Sequence, residues 1–139
     1  MASASVEKLF REYAAAFSKL DIENQVDHFA DAFIMAGPKG AVSGSKEEFR
    51  KNAVQAVAFY KSVGQSSARL LSIEETPISK DYVIAKTHWA VTFDKTGDKP
   101  IEFDVSYILY TAPPEPKIMM SISHEDEQEA MAKLGVLKG

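Results

Sequence analysis

Apolar side chains recur at three- and four-residue spacing from residue 5 to residue 20. Val6, Leu9, Phe10, Tyr13, Ala16, Phe17 and Leu20 fall on one side, with Glu7, Lys8, Arg11 and Glu12 opposite. That is the pattern of an amphipathic helix with one wide buried face. Asp21 is placed to cap a second, short helix carrying Ile22, Val26, Phe29 and Ala30, because its carboxylate can accept from free backbone N–H groups. Phe33-Ile34-Met35 follows as an apolar run too short for a surface helix, so it predicts a strand. Gly37-Pro38-Lys39-Gly40 then predicts a chain reversal, since proline presets φ and glycine permits positive φ. Ser45-Lys46-Glu47-Glu48 matches a capping box, in which serine and glutamate satisfy orphan donors at a helix start. The helix it opens carries Phe49, Ala53, Ala56, Val57 and Tyr60 on one face and stops near Gly64.

From residue 66 to 124 alternation takes over. "SSARLLSIEE", "DYVIAKTHWAVTF", "PIEFDVSYILYT" and "KIMMSISHE" read as strands, and the joints "TPISKD", "DKTGDKP" and "APPEPK" hold the residues turns require. Four consecutive strands with short joints predict an antiparallel meander. Alternation places Ile101, Phe103, Val105, Tyr107 and Leu109 inward, and likewise Val83, Ala85, Thr87, Trp89, Val91 and Phe93. The same count predicts Ile118, Met120, Ile122 and His124 inward, and Lys86, His88 and Thr92 outward. Parity in the first of these strands is ambiguous, which leaves the facing of Arg69 open. A last helix is expected over about residues 126–134, with Asp126 and Glu127 at its start and Gly135 at its stop, an arrangement that suits the helix dipole.

At 139 residues the chain is expected to form a single domain, 1–139, able to bury a core without staples. Hydrophobic residues make up 45% and charged residues 26%, which excludes a disordered chain. There is no cysteine, and so no disulfide framework or thiol nucleophile; a cytoplasmic location is the expectation. No run approaches the ~20 apolar residues that span a bilayer, so no membrane association is expected. The net charge of −4 and the scattered lysines disfavour nucleic acid and make a small apolar or neutral molecule the expected ligand.

The order of three helices, a short strand after the second and a meander after the third resembles the NTF2-like superfamily, with its SnoaL-like and ketosteroid-isomerase-like members. "FREYAAAFSKLDIENQVDHFADAF" looks like the N-terminal pattern of that group, and "GPKGAVSGSKEEF" like its glycine-containing turn into the third helix. The resemblance covers about residues 6–126. It implies an α+β fold: a cone-shaped, strongly curved, mostly antiparallel sheet wrapped around the N-terminal helices, with an apolar cavity at the open end. Residues 33–35 would line that cavity and residues 37–40 would form its rim.

In isomerase-like members a helix tyrosine and a protonated strand acid bind an oxyanion while an aspartate acts as base. The resemblance carries Tyr13 onto that tyrosine and Tyr107 at or next to the acid. It carries the base onto Gly37, which cannot take a proton, so steroid-isomerase activity is not expected and catalysis stays open. Candidate catalytic groups are Tyr13, Tyr107 and His124, the last because an imidazole titrates near neutrality. The candidate ligand-binding set is Tyr13, Phe17, Phe33, Met35, Tyr60, Trp89, Tyr107 and Met120, aromatic and thioether surfaces that line adaptable pockets and fill cores equally well. His28, His88 and His124 lack metal-ligand spacing, and no phosphate loop occurs, so neither metal nor cofactor is expected. Outward Ile108, Tyr110 and Met119, among Lys86, His88, Thr92, Asp104 and Ser106, predict a homodimer through the outer sheet face. A non-catalytic interaction module using that face is the alternative.

Overall fold

The computed structural model describes residues 3–19, 21–62, 64–94, 100–112 and 115–125, with the backbone alone for Ala56, Tyr60, Gln65, Ser66 and Ser67. The elements are α1 (Ala4–Ser18), α2 (Ile22–Val26), β1 (Phe29–Gly37), β2 (Gly40–Ser45), α3 (Lys46–Ser62), β3 (Gln65–Ser79), β4 (Tyr82–Phe93), β5 (Ile101–Tyr110) and β6 (Lys117–Ser123). They build one curved, unclosed six-stranded sheet in the order β2-β1-β6-β5-β4-β3. All neighbours are antiparallel except β1 and β6, which run parallel. The last helix expected from the sequence lies outside the described residues.

Helix α1 forms where the periodicity places it and buries Val6, Leu9, Phe10, Tyr13 and Ala16. Each large apolar side chain taken fully out of water contributes roughly 1.5–3 kcal/mol. Its ends are tied to β3: Ser3 donates from N and Oγ to Glu75 Oε1 at 2.9 and 3.0 Å. At the other end Ser18 Oγ donates to Ala68 O at 3.1 Å and accepts from Ala68 N at 2.8 Å. Asp21 caps α2 by accepting from Asn24 N at 3.2 Å. Ser45 starts α3 by accepting from Glu48 N at 3.3 Å. Past the end of α3, Gly64 sits at φ +73° with Asp94 crowding the place a Cβ would take, a conformation that suits glycine.

The meander and both of its clear faces stand as the alternation predicts: Ile101, Phe103, Val105, Tyr107 and Leu109 are buried, as are Val83, Ala85, Thr87, Trp89, Val91 and Phe93. Four local expectations are corrected. Phe29 and Ala30 belong to β1 rather than to the second helix, because His28 O accepts from Ile118 N at 2.8 Å and Phe29 pairs with Ile118. Residues 40–45, expected only as the run into the third helix, form β2, paired with β1 across a hairpin that closes at Gly37 and Gly40. Thr76–Ser79 extend β3 rather than forming a joint; Pro77 is tolerated because β3 is an edge strand.

The fourth correction concerns β6. Leu109 pairs with Ile118 and Ile108 with Met120, so Met119 is the extra residue of a β-bulge, and facing reverses beyond it. Ser121 and Ser123 therefore share the inner side with their partners Tyr107 and Val105, while Met120 and Ile122 lie outward with Ile108 and Ser106. Arg69, whose facing the sequence left open, is exposed.

Candidate functional site

Between the helices and the concave side of the sheet lies a cavity of about 230 Å³. Its aromatic wall is Tyr13 and Phe17 from α1, Phe49 from α3, Trp89 from β4, and Phe103 and Tyr107 from β5. Asn52, which is exposed, and Met35, at 40% exposure, mark its mouth. Two larger hollows, of about 610 and 570 Å³, are lined in part by charged groups such as Arg11 and Arg69, or Lys46 and Glu115, and read as surface grooves. An engineered cavity of about 150 Å³ admits benzene, and drug-sized sites run from roughly 300 Å³ upward. By that comparison a molecule of one or two rings fits here.

The wall is held by contacts made elsewhere in the core. The Tyr13 ring meets Phe29, Trp89 and Tyr107 edge-on, with centroids 5.9, 6.2 and 6.3 Å apart, a preferred aromatic geometry. Trp89 Nε1 donates to Thr87 Oγ1 at 2.7 Å, and that hydroxyl donates onward to Val105 O at 2.8 Å. The relay fixes the indole in the cavity wall.

No described residue lining this cavity is an acid, a histidine, a lysine or an arginine. Its polar groups are Gln25, Asn52, Ser121, Ser123 and the two phenols. Gln25 is 7% exposed and Ser121 8%, and among the described residues neither side chain has a hydrogen-bond partner. A buried amide or hydroxyl left unpaired costs roughly 1–3 kcal/mol, which a bound polar group recovers. The sequence reading passed over both. Ile22, Gln25, Val26 and Phe29 recur at the three- and four-residue steps of a helix face, so a glutamine amid an apolar stripe was a usable signal; Ser121 became visible only with the bulge.

Of the sequence candidates, the structure brings together Tyr13, Phe17, Met35, Trp89 and Tyr107 around the cavity. Phe33 does not line it: at 5% exposure it packs with Phe29 and Phe49, centroids 4.9 and 5.4 Å away. Met120 and His124 do not face inward. Met120 turns outward through the bulge, and His124 Nε2 lies 2.7 Å from Ser106 Oγ on the outer face. Tyr60 lies on α3 with its side chain outside the described residues. Gly37 ends β1 against Ser123, whose Cβ would lie 3.7 Å from an added methyl. Among the described residues no cluster of three acids or histidines could hold a metal, and no helix is long and apolar enough to cross a membrane.

On the outer face His88 bridges two carboxylates, with Nδ1 2.6 Å from Asp104 Oδ1 and Nε2 2.8 Å from Glu102 Oε1. Those bonds, Glu102 first, raise the His88 pKa above 6.5, and the bond from His88 lowers that of Asp104. Lys86 and His124 add smaller effects on Asp104. A raised histidine stabilises the fold fully below its unfolded pKa, and that contribution disappears as pH rises through the folded one. A depressed aspartate contributes above its unfolded pKa, and the gain disappears as pH falls through the folded one. The pair therefore supports the fold best between the two. The His88 imidazole is expected to titrate above 6.5 by NMR, and His88→Gln to remove the loss of stability on passing from about pH 6 to pH 9. An imidazole titrating at or below 6.5 would contradict this.

The family described as NTF2-like protein (DUF6841) matches residues 3–126. No curated protein matches the chain in sequence. Among solved structures, Aln2 from a Streptomyces species superposes with a TM-score of 0.74 at 11% identity, over 95% of this chain and 99% of that one. An NTF2-like protein with a cystatin-like fold from Novosphingobium aromaticivorans gives 0.73 at 13% identity, over 97% and 88%. A ketosteroid isomerase-like protein from Erwinia carotovora atroseptica gives 0.64 at 16% identity, over 87% and 93%. At these identities the likeness is one of fold.

Proposed function

The chain belongs to the NTF2-like family DUF6841, and from that footing we propose that its cavity is a binding site for a neutral, largely apolar small molecule of one or two rings. The observation that carries this reading is a cavity of about 230 Å³ walled by six aromatic side chains with no ionised group among its described lining. A charged ligand would surrender its hydration there without gaining a counter-ion. A neutral ring exchanges water for aromatic faces and edges. The reading is one of binding: proton transfer near neutral pH needs a group that titrates there, and neither the described lining nor Gly37 supplies one.

The chain's one tryptophan, Trp89, lies in the cavity wall and reports occupancy directly. Titration with neutral one- and two-ring aromatic compounds is expected to change Trp89 emission saturably and to raise the melting temperature in step, as ligand binding to the folded state requires. A panel that leaves both signals unmoved at its solubility limit rules the reading out.

A second reading concerns the outer face. The ladder sets Ile84 beside Ile108, Ile108 beside Met120 and Met120 beside Ile34, an apolar row across four strands. Ile34 and Ile84 are 40% and 37% exposed. We propose that a second copy of this chain covers the row. An isologous pairing would bury the same row on both copies. Sedimentation at micromolar concentration is expected to give a dimer, and Ile108→Lys a monomer that keeps its fold. A monomeric parent chain would reject it.

A further inference from the structure

Two buried polar side chains without partners among the described residues, Gln25 on α2 and Ser121 on β6, line the same cavity. We propose that the cavity recognises a neutral aromatic lactam, a one- or two-ring molecule whose adjacent N–H and C=O pair with the Gln25 carboxamide. The inference rests on the binding reading above and sharpens it to a ligand class.

A glutamine amide presents a carbonyl acceptor and an NH₂ donor side by side. A cyclic secondary amide presents the complement, an N–H beside a C=O on one edge, so two parallel bonds form at once. A ketone or ether satisfies only the donor. A carboxylate would also engage only the donor, and it brings a charge into a cavity whose described lining holds no cation. Ser121, on the same cavity lining, offers a hydroxyl donor for a further acceptor on the ligand. Flatness and size follow from the rest of the wall. Tyr13 meets Trp89 and Tyr107 edge-on, with centroids 6.2 and 6.3 Å away, and about 230 Å³ holds a fused pair of rings but not a four-ring skeleton.

The test uses the full chain and three probes of closely similar shape: carbostyril, N-methylcarbostyril and naphthalene, each titrated by calorimetry and by Trp89 emission. In the wild type, carbostyril is expected to bind at least about tenfold tighter than either of the others, because a site built around a donor and an acceptor rejects analogues that leave them unpaired. Gln25→Leu is expected to erase that preference, so that carbostyril binds no tighter than naphthalene. Equal affinity for all three in the wild type overturns lactam recognition and leaves the cavity reading intact. A preference that survives in Gln25→Leu removes Gln25 from the recognition. No response to any probe overturns both readings. Should Gln25→Leu fail to fold, the three-probe comparison on the wild type still decides.

Discussion

Phe29→Ala is expected to destabilise the fold by about 3–5 kcal/mol, the range for deleting a buried phenylalanine from a packed core. Phe29 is 1% exposed and sits where three parts of the molecule meet. Its ring centroid lies 4.9 Å from that of Phe33 on β1, 4.7 Å from that of Phe49 on α3 and 5.9 Å from that of Tyr13 on α1. Its backbone opens the parallel ladder with β6 at Ile118. The hole left by alanine cannot close by moving one element, because the ring's neighbours belong to different ones. Urea denaturation of the two proteins measures the difference, provided the slope with denaturant is unchanged. A loss under about 1 kcal/mol would mean that this aromatic cluster relaxes freely and is no keystone of the core.

Ala53→Phe is expected to abolish binding of aromatic probes, a loss of more than about a hundredfold, while leaving the chain folded. Ala53 lies on α3, is 9% exposed and lines the cavity, so a ring grown from its Cβ occupies the space a ligand would take. Overpacking costs typically about 1–3 kcal/mol, and here the side chain enters open volume beside Phe49 and Val57, so the low end is expected. The readouts are Trp89 emission on titration and far-ultraviolet circular dichroism on the same samples. A variant that still binds with near-parental affinity would place the ligand elsewhere, even if binding itself had been demonstrated. The two substitutions separate the chemistry of the core from that of the cavity: the first removes stability, the second removes space.

The helix face of α1 and the inner rows of β4 and β5 were legible in the sequence because periodicity is local. A residue's neighbours three or two positions away are settled by its own backbone conformation, and the apolar stripe shows which side is buried. Four candidates on those elements, Tyr13, Phe17, Trp89 and Tyr107, line the cavity; Met35 on β1 also lines it, but was placed there by the family resemblance rather than by periodicity. Where the sequence misled, the cause lay on another strand. Phe29 reads as helical by spacing, but its carbonyl neighbour His28 accepts from Ile118, ninety residues away along the chain.

What the sequence by itself determined is the inventory and its order: helices with one apolar side, strands with one apolar row, glycine and proline at the reversals, and a charge balance that points away from polyanions. What only the tertiary structure decided is which polar residues end up inside. Met119 becomes a bulge solely through the register β5 imposes, and that one extra residue turns Met120 outward and Ser121 into the cavity wall. Gln25 is an ordinary helix glutamine until α1 and α3 pack against α2. Burial depends on the sum of distant surfaces, whereas periodicity depends on adjacent bonds, and a ligand site is made of the former.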